Sequence, residues 1–488
     1  MKKYFSVFIS LLFFSYTVYA QQFSIQWQRC YGGTGMDGFQ DFDTTEDGGY
    51  IFCGMKEGSC TGNIADEDMW IVKTDTAGTV LWEKCVGGSS YDIPAAIRTV
   101  PGANNGFILA GGVYSNDGDV SGNHGGLGDM WVARLDMAGN ILWQQCIGGT
   151  SDDGANDIAV TADGNFVIIG TTQSVDGDAT GNHGSWDILL IKINKEGNVL
   201  WKKVLGSSGV DKGSKVIATP DNDVIIGGSV SAADGDVASC NPGGDWWVAK
   251  LNSTGNILWE ETFGTNIPYE ELISLTGTSD GGCIASGIYS PNTSAKKLDA
   301  NGVVEWSKDW EMAYVLQFPD SSYVNANLTK GGLFTGDSSF NASLMWMDKQ
   351  GDSTGYQVFG GTDYDYFTKG IYYKGAYTFL GNTLSNDMDV SGNHGQGDAW
   401  VVRMTQNTTA VHEPLTAGKI LLSPNPVQTV VYFSQSCNYR LYDLVGREIA
   451  IGKNTAQIDL TALPQGIYLI KLYNEKGIMI QEEKLLKR

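Results

Sequence analysis

The chain is 488 residues long and carries 55 Asp and Glu against 32 Lys and Arg, a formal net charge of −23. Phosphate contacts need clustered lysines and arginines, so this balance excludes nucleic acid as a partner and argues against anionic lipid. Acidity of this kind serves solubility and also suits cation binding outside the cell.

Lys2 and Lys3, an apolar run from Tyr4 to about Tyr16, and Val18-Tyr19-Ala20 follow the basic, apolar, small-residue order of a secretory signal peptide at 1–20. That run is too short to span a membrane. No later stretch approaches ~20 apolar residues, so no transmembrane segment is expected. The predicted route is through the periplasm to the outer cell surface or the medium. The eight cysteines lack the C-x-x-C spacing of a zinc or redox site. Cys30, Cys85 and Cys146 share one repeat position and read as packed strand residues, which leaves Cys53–Cys60 as the disulfide to expect.

The string Asp119-Val120-Ser121-Gly122-Asn123-His124-Gly125 returns unchanged at Asp389 to Gly395, and a near copy stands at Asp178 to Gly184. Such identity marks an internal repeat. Two landmark strands count it. One places Trp27, Trp82, Trp143, Trp201, Trp259, Trp306 and, substituted, Tyr356; the other places Trp70, Trp131, Ile188, Trp247, Lys297, Trp346 and Trp400. Seven of each mean seven units, each with four short Val-, Ile-, Trp- and Tyr-rich stretches broken by Gly, Asn and Asp. Four strands in roughly 40–50 residues or a little more mark a β-propeller blade. The repeat opens on one landmark strand, Phe23 to Cys30, and ends on the other, Trp400 to Met404. Pairing them would close the ring and hide sheet edges. The predicted fold is all-β: a seven-bladed β-propeller at 21–404 closed by its first and last strands, a linker at 405–418, and a small β-sandwich at 419–488.

Two kinds of loop share one face of such a ring. The loops between units put an acid at the start of six inner strands: Asp37, Asp92, Asp153, Asp211, Glu270 and Asp365. These residues are expected at the channel mouth, where they either ring a cation or polyhydroxyl ligand or cap backbone N–H groups of their own turns. The loops between second and third strands are long in units two, three, four and seven, diverged in unit one, and short in units five and six. Where the loop is long, an Asp precedes the next strand: Asp68, Asp129, Asp187, Asp245 and Asp398. Loop and Asp appear and vanish together, so they are expected to touch.

The spelling D-x-D-x-S/T-G-N places oxygens at alternate positions and resembles the calcium loops of integrin-type propellers. Calcium is thus a candidate cofactor, with Asp117, Asp119, Ser121, Asn123 and Asp129 as ligands, repeated at Asp176, Asp178, Asp187 and at Asp387, Asp389, Asp398. The other reading is an Asx-turn loop closed by its own hydrogen bonds.

After the repeat the character of the chain changes. Ser423-Pro424-Asn425-Pro426, Tyr442-Asp443-Leu444-Val445-Gly446-Arg447, Leu463-Pro464-Gln465-Gly466-Ile467-Tyr468 and the terminal Lys484 to Arg488 resemble the C-terminal sorting domain of type IX secretion cargo. That resemblance implies a domain that directs a folded protein across the outer membrane through the type IX machinery. The cargo is then released or attached to surface lipopolysaccharide.

Catalytic motifs are sparse: there is no G-x-S-x-G, H-E-x-x-H or P-loop, and outside the repeat loops only His412 remains. The breaks in the repeat fall at units five and six, with Tyr269, Glu270, Glu271, Trp306 and Trp310. The expected function is a secreted or surface-attached, non-catalytic propeller that binds a glycan or protein on the long-loop face. The alternative is a carbohydrate-active enzyme with carboxylates at the channel mouth.

Overall fold

A computed structural model describes residues 23–57, 68–102, 105–266, 270–289, 292–309, 314–330, 340–406, 422–423, 427, 429–443, 447–474 and 479–487. The predicted signal peptide, most of the linker, Cys60, the unit-one loop up to residue 67, residues 290–291, Tyr269, Trp310, Pro424, Asn425, Pro426 and Gly446 lie outside the described residues. The chain divides into two compact units, one of Ala20–Thr408 and one that includes Thr409–Arg488.

The larger unit holds seven four-stranded antiparallel sheets. Six run in chain order over 38–86, 92–147, 153–205, 212–263, 271–308 and 314–359. The seventh takes its first three strands from 365–406 and its fourth from Phe23–Tyr31. That fourth strand pairs antiparallel with Asp398–Gln406, from Phe23↔Gln406 to Tyr31↔Ala399, two residues beyond the repeat's expected end at Met404. The first strand of each sheet touches the first strand of the next, and that of sheet seven touches that of sheet one.

Burial peaks in the middle strands of each sheet and falls at the rim. Asp129–Leu135, a third strand, is buried at all seven positions, because neighbouring sheets cover both its faces. Ile141–Ile147, the fourth strand beside it, is mostly half-buried and leaves Leu142 60% exposed.

The repeated tryptophan joins adjacent sheets. Five of the six outer-strand indoles donate to a carbonyl in the last hairpin of the following sheet: Trp27 to Thr76 (3.2 Å), Trp82 to Met137 (3.2 Å), Trp143 to Lys195 (2.9 Å), Trp201 to Ser253 (2.9 Å) and Trp259 to Ala300 (3.0 Å). The ring lies flat on that hairpin's glycine. On Gly139, at φ +74°, a Cβ would stand 2.8 Å from the Trp82 ring. Tyr356 replaces the tryptophan in sheet six and is 58% exposed. Sheet seven has no such hairpin for it to reach, since its fourth strand comes from the start of the repeat. Gly139→Ala is therefore expected to cost about 1–2 kcal/mol in left-handed backbone strain, with a steric penalty on top. Gly375→Ala, at φ +82° with nothing within 4 Å, should cost the backbone part alone. Paired melting curves check the difference.

Inside the sheets, Lys73, Lys192 and Lys297 are buried and pair with Asp47 (2.9 Å), Asp163 (2.9 Å) and Asp280 (2.7 Å). The cysteines differ from expectation. Cys53 is a free, buried thiol, and Cys85 is disulfide-bonded, so the Cys53–Cys60 pairing does not form and Cys85 is no simple packing residue. Pairing through Cys53 would pull a core side chain out of the cluster around Ile51, Ile71 and Trp131.

In the smaller unit, one strand, Val430–Tyr442, organises a five-stranded sheet. It pairs with Glu448–Asp459 along one edge, and with Leu422–Ser423 and Gly466–Tyr473 along the other. Among the described residues, all five strands are joined by hydrogen bonds in one sheet. Its apolar side chains, among them Val431, Tyr439, Leu441, Ile470, Leu472 and Leu485, form a core of their own.

Candidate functional site

The six acids between units are not open at a channel mouth. All are at most 4% exposed. Each accepts the N–H four or five residues back in its own turn: Asp37 from Gly33, Asp92 from Gly88 (2.8 Å), Asp153 from Gly149 (2.7 Å), Asp211 from Ser207, Glu270 from Thr265 (2.7 Å) and Asp365 from Gly361 (2.7 Å). Further donors saturate them. Asp92 takes the Tyr114 and Ser115 amides, Asp153 the Thr172 and Ser174 hydroxyls, and Asp365 those of Thr383 and Ser385. These are the hydrogen bonds expected of turn caps.

A second carboxylate stands against five of the six caps. On Gly148, a Cβ would lie 2.3 Å from Asp153 Oδ2 and 3.0 Å from Asp129 Oδ1; on Gly206, 2.7 Å from Asp211 Oδ2 and 2.9 Å from Asp187 Oδ1. Glycine is thus required where two buried acids from consecutive sheets converge. Asp129, Asp187 and Asp398 each have one buried Oδ1 without a hydrogen-bond partner. In sheet six the same slot holds Asn341. With its amide turned to donate, Nδ2 lies 3.3 Å from Asp365 Oδ2 and 3.0 Å from Gly361 O. The slot therefore accommodates a neutral donor. Burial pushes Asp129 and Asp187 above the usual carboxylate range, and the neighbouring acids Asp153 and Asp211 push the same way.

The long loops fold onto these acids. His124 donates its backbone N–H to Asp129 Oδ2 (2.9 Å) with Nδ1 at 2.7 Å, and His183 and His394 do the same with Asp187 and Asp398. In unit four, Asn241 takes the histidine's place against Asp245 (2.9 Å). Asn123 and Asn393 donate to backbone carbonyls and accept the amide two residues on. Asp117, Asp176 and Asp387 reach across to the next turn, at Ser89 N (2.7 Å), Thr150 N (2.8 Å) and Thr362 N (2.9 Å). Ser121 is held by Gln144, and Asp178 by Lys202 (2.9 Å). Asp119 and Asp389 anchor their turns through backbone N–H groups to Gly87 O (2.9 Å) and Gly360 O (3.1 Å).

The expected calcium ligands thus point to separate partners, and no three potential His, Cys, Asp or Glu ligands gather among the described residues. The loop is closed by its own hydrogen bonds. A chelator is expected to leave the melting midpoint unchanged; a fall would return Asp117, Asp119 and Asp129 to calcium.

Nor do the breaks at units five and six form a site among the described residues. Glu270 caps its turn, and Trp306 packs on Gly351 as the other tryptophans do on their glycines.

Residues the sequence reading missed lie on the inner strands. Arg98 bridges Asp41 and Asp157 (2.6 Å to the latter), and Lys369 also pairs with Asp41, so one buried ion network joins sheets one, two, three and seven. The opposed charges hold Asp41 low, at about 2. The signal was available: the fourth residue after each inter-unit acid reads Asp41, Ala96, Asp157, Lys215, Ser274 and Lys369, charged in four units and small in two.

Six of the seven inner strands also carry a β-bulge, in each case just before that position, as between Phe39 and Asp41 or Ala155 and Asp157. Bulges re-aim side chains. Gln40, Ala95 and Asn156, the extra residues, line a cavity of about 630 Å³ with Tyr114, Asp152, Trp186, Lys212 and Lys215. It draws on the inner strands of sheets one to four and on the ends of two long loops.

The tail motifs take local roles. Asp443 accepts the Arg447 amide (2.9 Å) and pairs with its guanidinium (3.1 Å), closing the turn after Tyr442. Tyr468 donates to Pro464 O (2.7 Å), and Gly466 opens the strand between. Residues 422–487 match the family described as secretion system C-terminal sorting domains. The tail is a sorting domain of that family. Such a domain implies a secreted or outer-surface protein that engages type IX secretion. Among the described residues, no helix is long and apolar enough to cross a membrane.

For the repeat, a 273-residue stretch is 23% identical to an uncharacterized WD repeat-containing protein of Acanthamoeba polyphaga mimivirus, covering 45% of this chain and 19% of that protein. Similar solved structures include the Dos1 propeller (12% identity, 78% of this chain and 95% of that one, TM-score 0.45). PorZ, a surface component of the type IX secretion system of Porphyromonas gingivalis, is 11% identical over 94% of this chain and 60% of its own (TM-score 0.38). The polysaccharide lyase Uly1 is 11% identical over 77% and 91% (TM-score 0.46). None of these likenesses bears on activity.

Proposed function

We propose that the seven sheets are the blades of one β-propeller closed by the pairing of Phe23–Tyr31 with Asp398–Gln406, and that this propeller is a non-catalytic, surface-displayed or secreted glycan-binding module. The cyclic contacts of the inner strands and the missing tryptophan at Tyr356 support closure. The observation that carries the binding reading is the axial cavity. It combines two aromatic side chains, Tyr114 and Trp186, with Gln40, Asn156, Asp152 and two lysines. Aromatic faces stack on the C–H faces of sugars while amides and carboxylates take their hydroxyls, and concave sites of this size suit small ligands.

The six inter-unit acids are buried and saturated with donors, which disfavours them as hydrolytic carboxylates. Incubating the secreted protein with a polysaccharide panel is expected to give retention on at least one polymer without new reducing ends. Release of reducing ends, lost in Asp152→Asn, would replace binding with catalysis. Retention on proteins but on no polymer would replace the glycan with a protein ligand.

A further inference from the structure

We propose that the axial cavity takes an anionic sugar residue, with its acidic group held by Lys212 and Lys215 and its ring and hydroxyls by Trp186, Tyr114 and Asn156. This rests on the glycan reading of the same cavity. The two lysines are the observation that carries it. Both stand on Lys212–Ala218, the inner strand of sheet four, and both line the cavity. The chain is otherwise acidic, and other lysines are spent: Lys73, Lys192 and Lys297, on third strands, pair with turn aspartates, and Lys369, on an inner strand, pairs with Asp41. Lys212 and Lys215 make no ion pair among the described residues.

They also break the repeat. The residue after the inter-unit acid is Gly38, Ile93, Gly154 and Lys212 in the first four units, and the fourth residue after it is Asp41, Ala96, Asp157 and Lys215. Within these four units, unit four alone places two cations on one inner strand.

The acids that share the cavity already accept hydrogen bonds from its walls. Asp153 is buried and saturated. Asp152 already accepts the Gly128 amide (3.2 Å) and the Tyr114 hydroxyl (3.3 Å), and burial beside Asp152 raises the Tyr114 phenol. The hydroxyl stays protonated and can offer its oxygen to a sugar. One wall is thus cationic and the other carries aromatic rings and the hydrogen-bonded Asp152, an arrangement that lets a sugar's acidic group face the lysines while its hydroxyls face Asp152.

The test compares four probes on the full secreted protein: oligogalacturonate, its methyl ester, dextran sulfate and dextran. Tighter binding of oligogalacturonate than of its ester assigns a uronate; tighter binding of dextran sulfate than of dextran assigns a sulfate. In either case the Lys212→Gln, Lys215→Gln double variant should weaken the acidic ligand about tenfold, and the Arg pair should restore it. Equal binding of acidic and neutral probes, or an unaffected Gln variant with an unchanged melting curve, would overturn the anionic assignment and leave the glycan reading standing. Binding of none of the four would overturn both.

Discussion

Replacing Asp153 with alanine is expected to destabilise the protein severely, by about 3–5 kcal/mol. The residue is almost fully buried and its two oxygens serve Gly149 N and the hydroxyls of Thr172 and Ser174. Alanine would orphan all three donors at a buried position. Asp129→Asn, against the same glycine, is expected to behave in the opposite way. Asparagine can keep the oxygen that accepts from His124 and turn its amide toward Asp153, the arrangement Asn341 already makes with Asp365.

The pH dependence separates the two further. Burial raises the folded pKa of Asp129 and Asp187, against the opposing pull of His124 and His183. A raised acid favours the fold in its neutral form. That stabilisation is complete below the unfolded value of about 4 and is lost as pH rises through the folded one. Wild type is therefore expected to lose melting temperature as pH climbs through the raised value, and Asp129→Asn to lose less. Thermal melts across pH check this; equal slopes, or a collapse of Asp129→Asn comparable to Asp153→Ala, would contradict the neutral-donor slot.

Deleting 419–488 is expected to hold the protein in the periplasm, with surface delivery lost rather than merely reduced. The tail has its own strands and its own core, so its removal takes no strand from the seven four-stranded sheets. A truncated protein that melts like the intact one but stays periplasmic isolates sorting from folding. Surface delivery without the tail would contradict the sorting role.

The architecture was legible because it is written seven times. Recurring tryptophans and D-x-x-G hairpins locate strands and turns, since each unit must solve the same packing problem with the same residues. The coupling between the DVSGNHG loop and the following Asp was also legible, and His124 on Asp129 is its cause. The loop's chemistry was not. Alternating oxygens look the same in sequence whether they converge on one ion or, as with Asp117 and Ser89, diverge to different turns. The cavity escaped for the converse reason. Tyr114, Trp186, Lys212 and Lys215 belong to no repeated motif, and only the bulged inner strands bring them together. Cys85 was misread because a shared repeat position says nothing about whether a cysteine has a disulfide partner.

The central claim is that the repeated loop is a structural joint while the ligand sits in the axial cavity. Glycan-array binding of wild type, Trp186→Ala and Ser121→Ala, all at matched folding, tests it most directly. Loss of binding in Trp186→Ala with full binding in Ser121→Ala is the predicted result. Binding that survives Trp186→Ala and disappears in Ser121→Ala would place the ligand on the long loops and contradict the account.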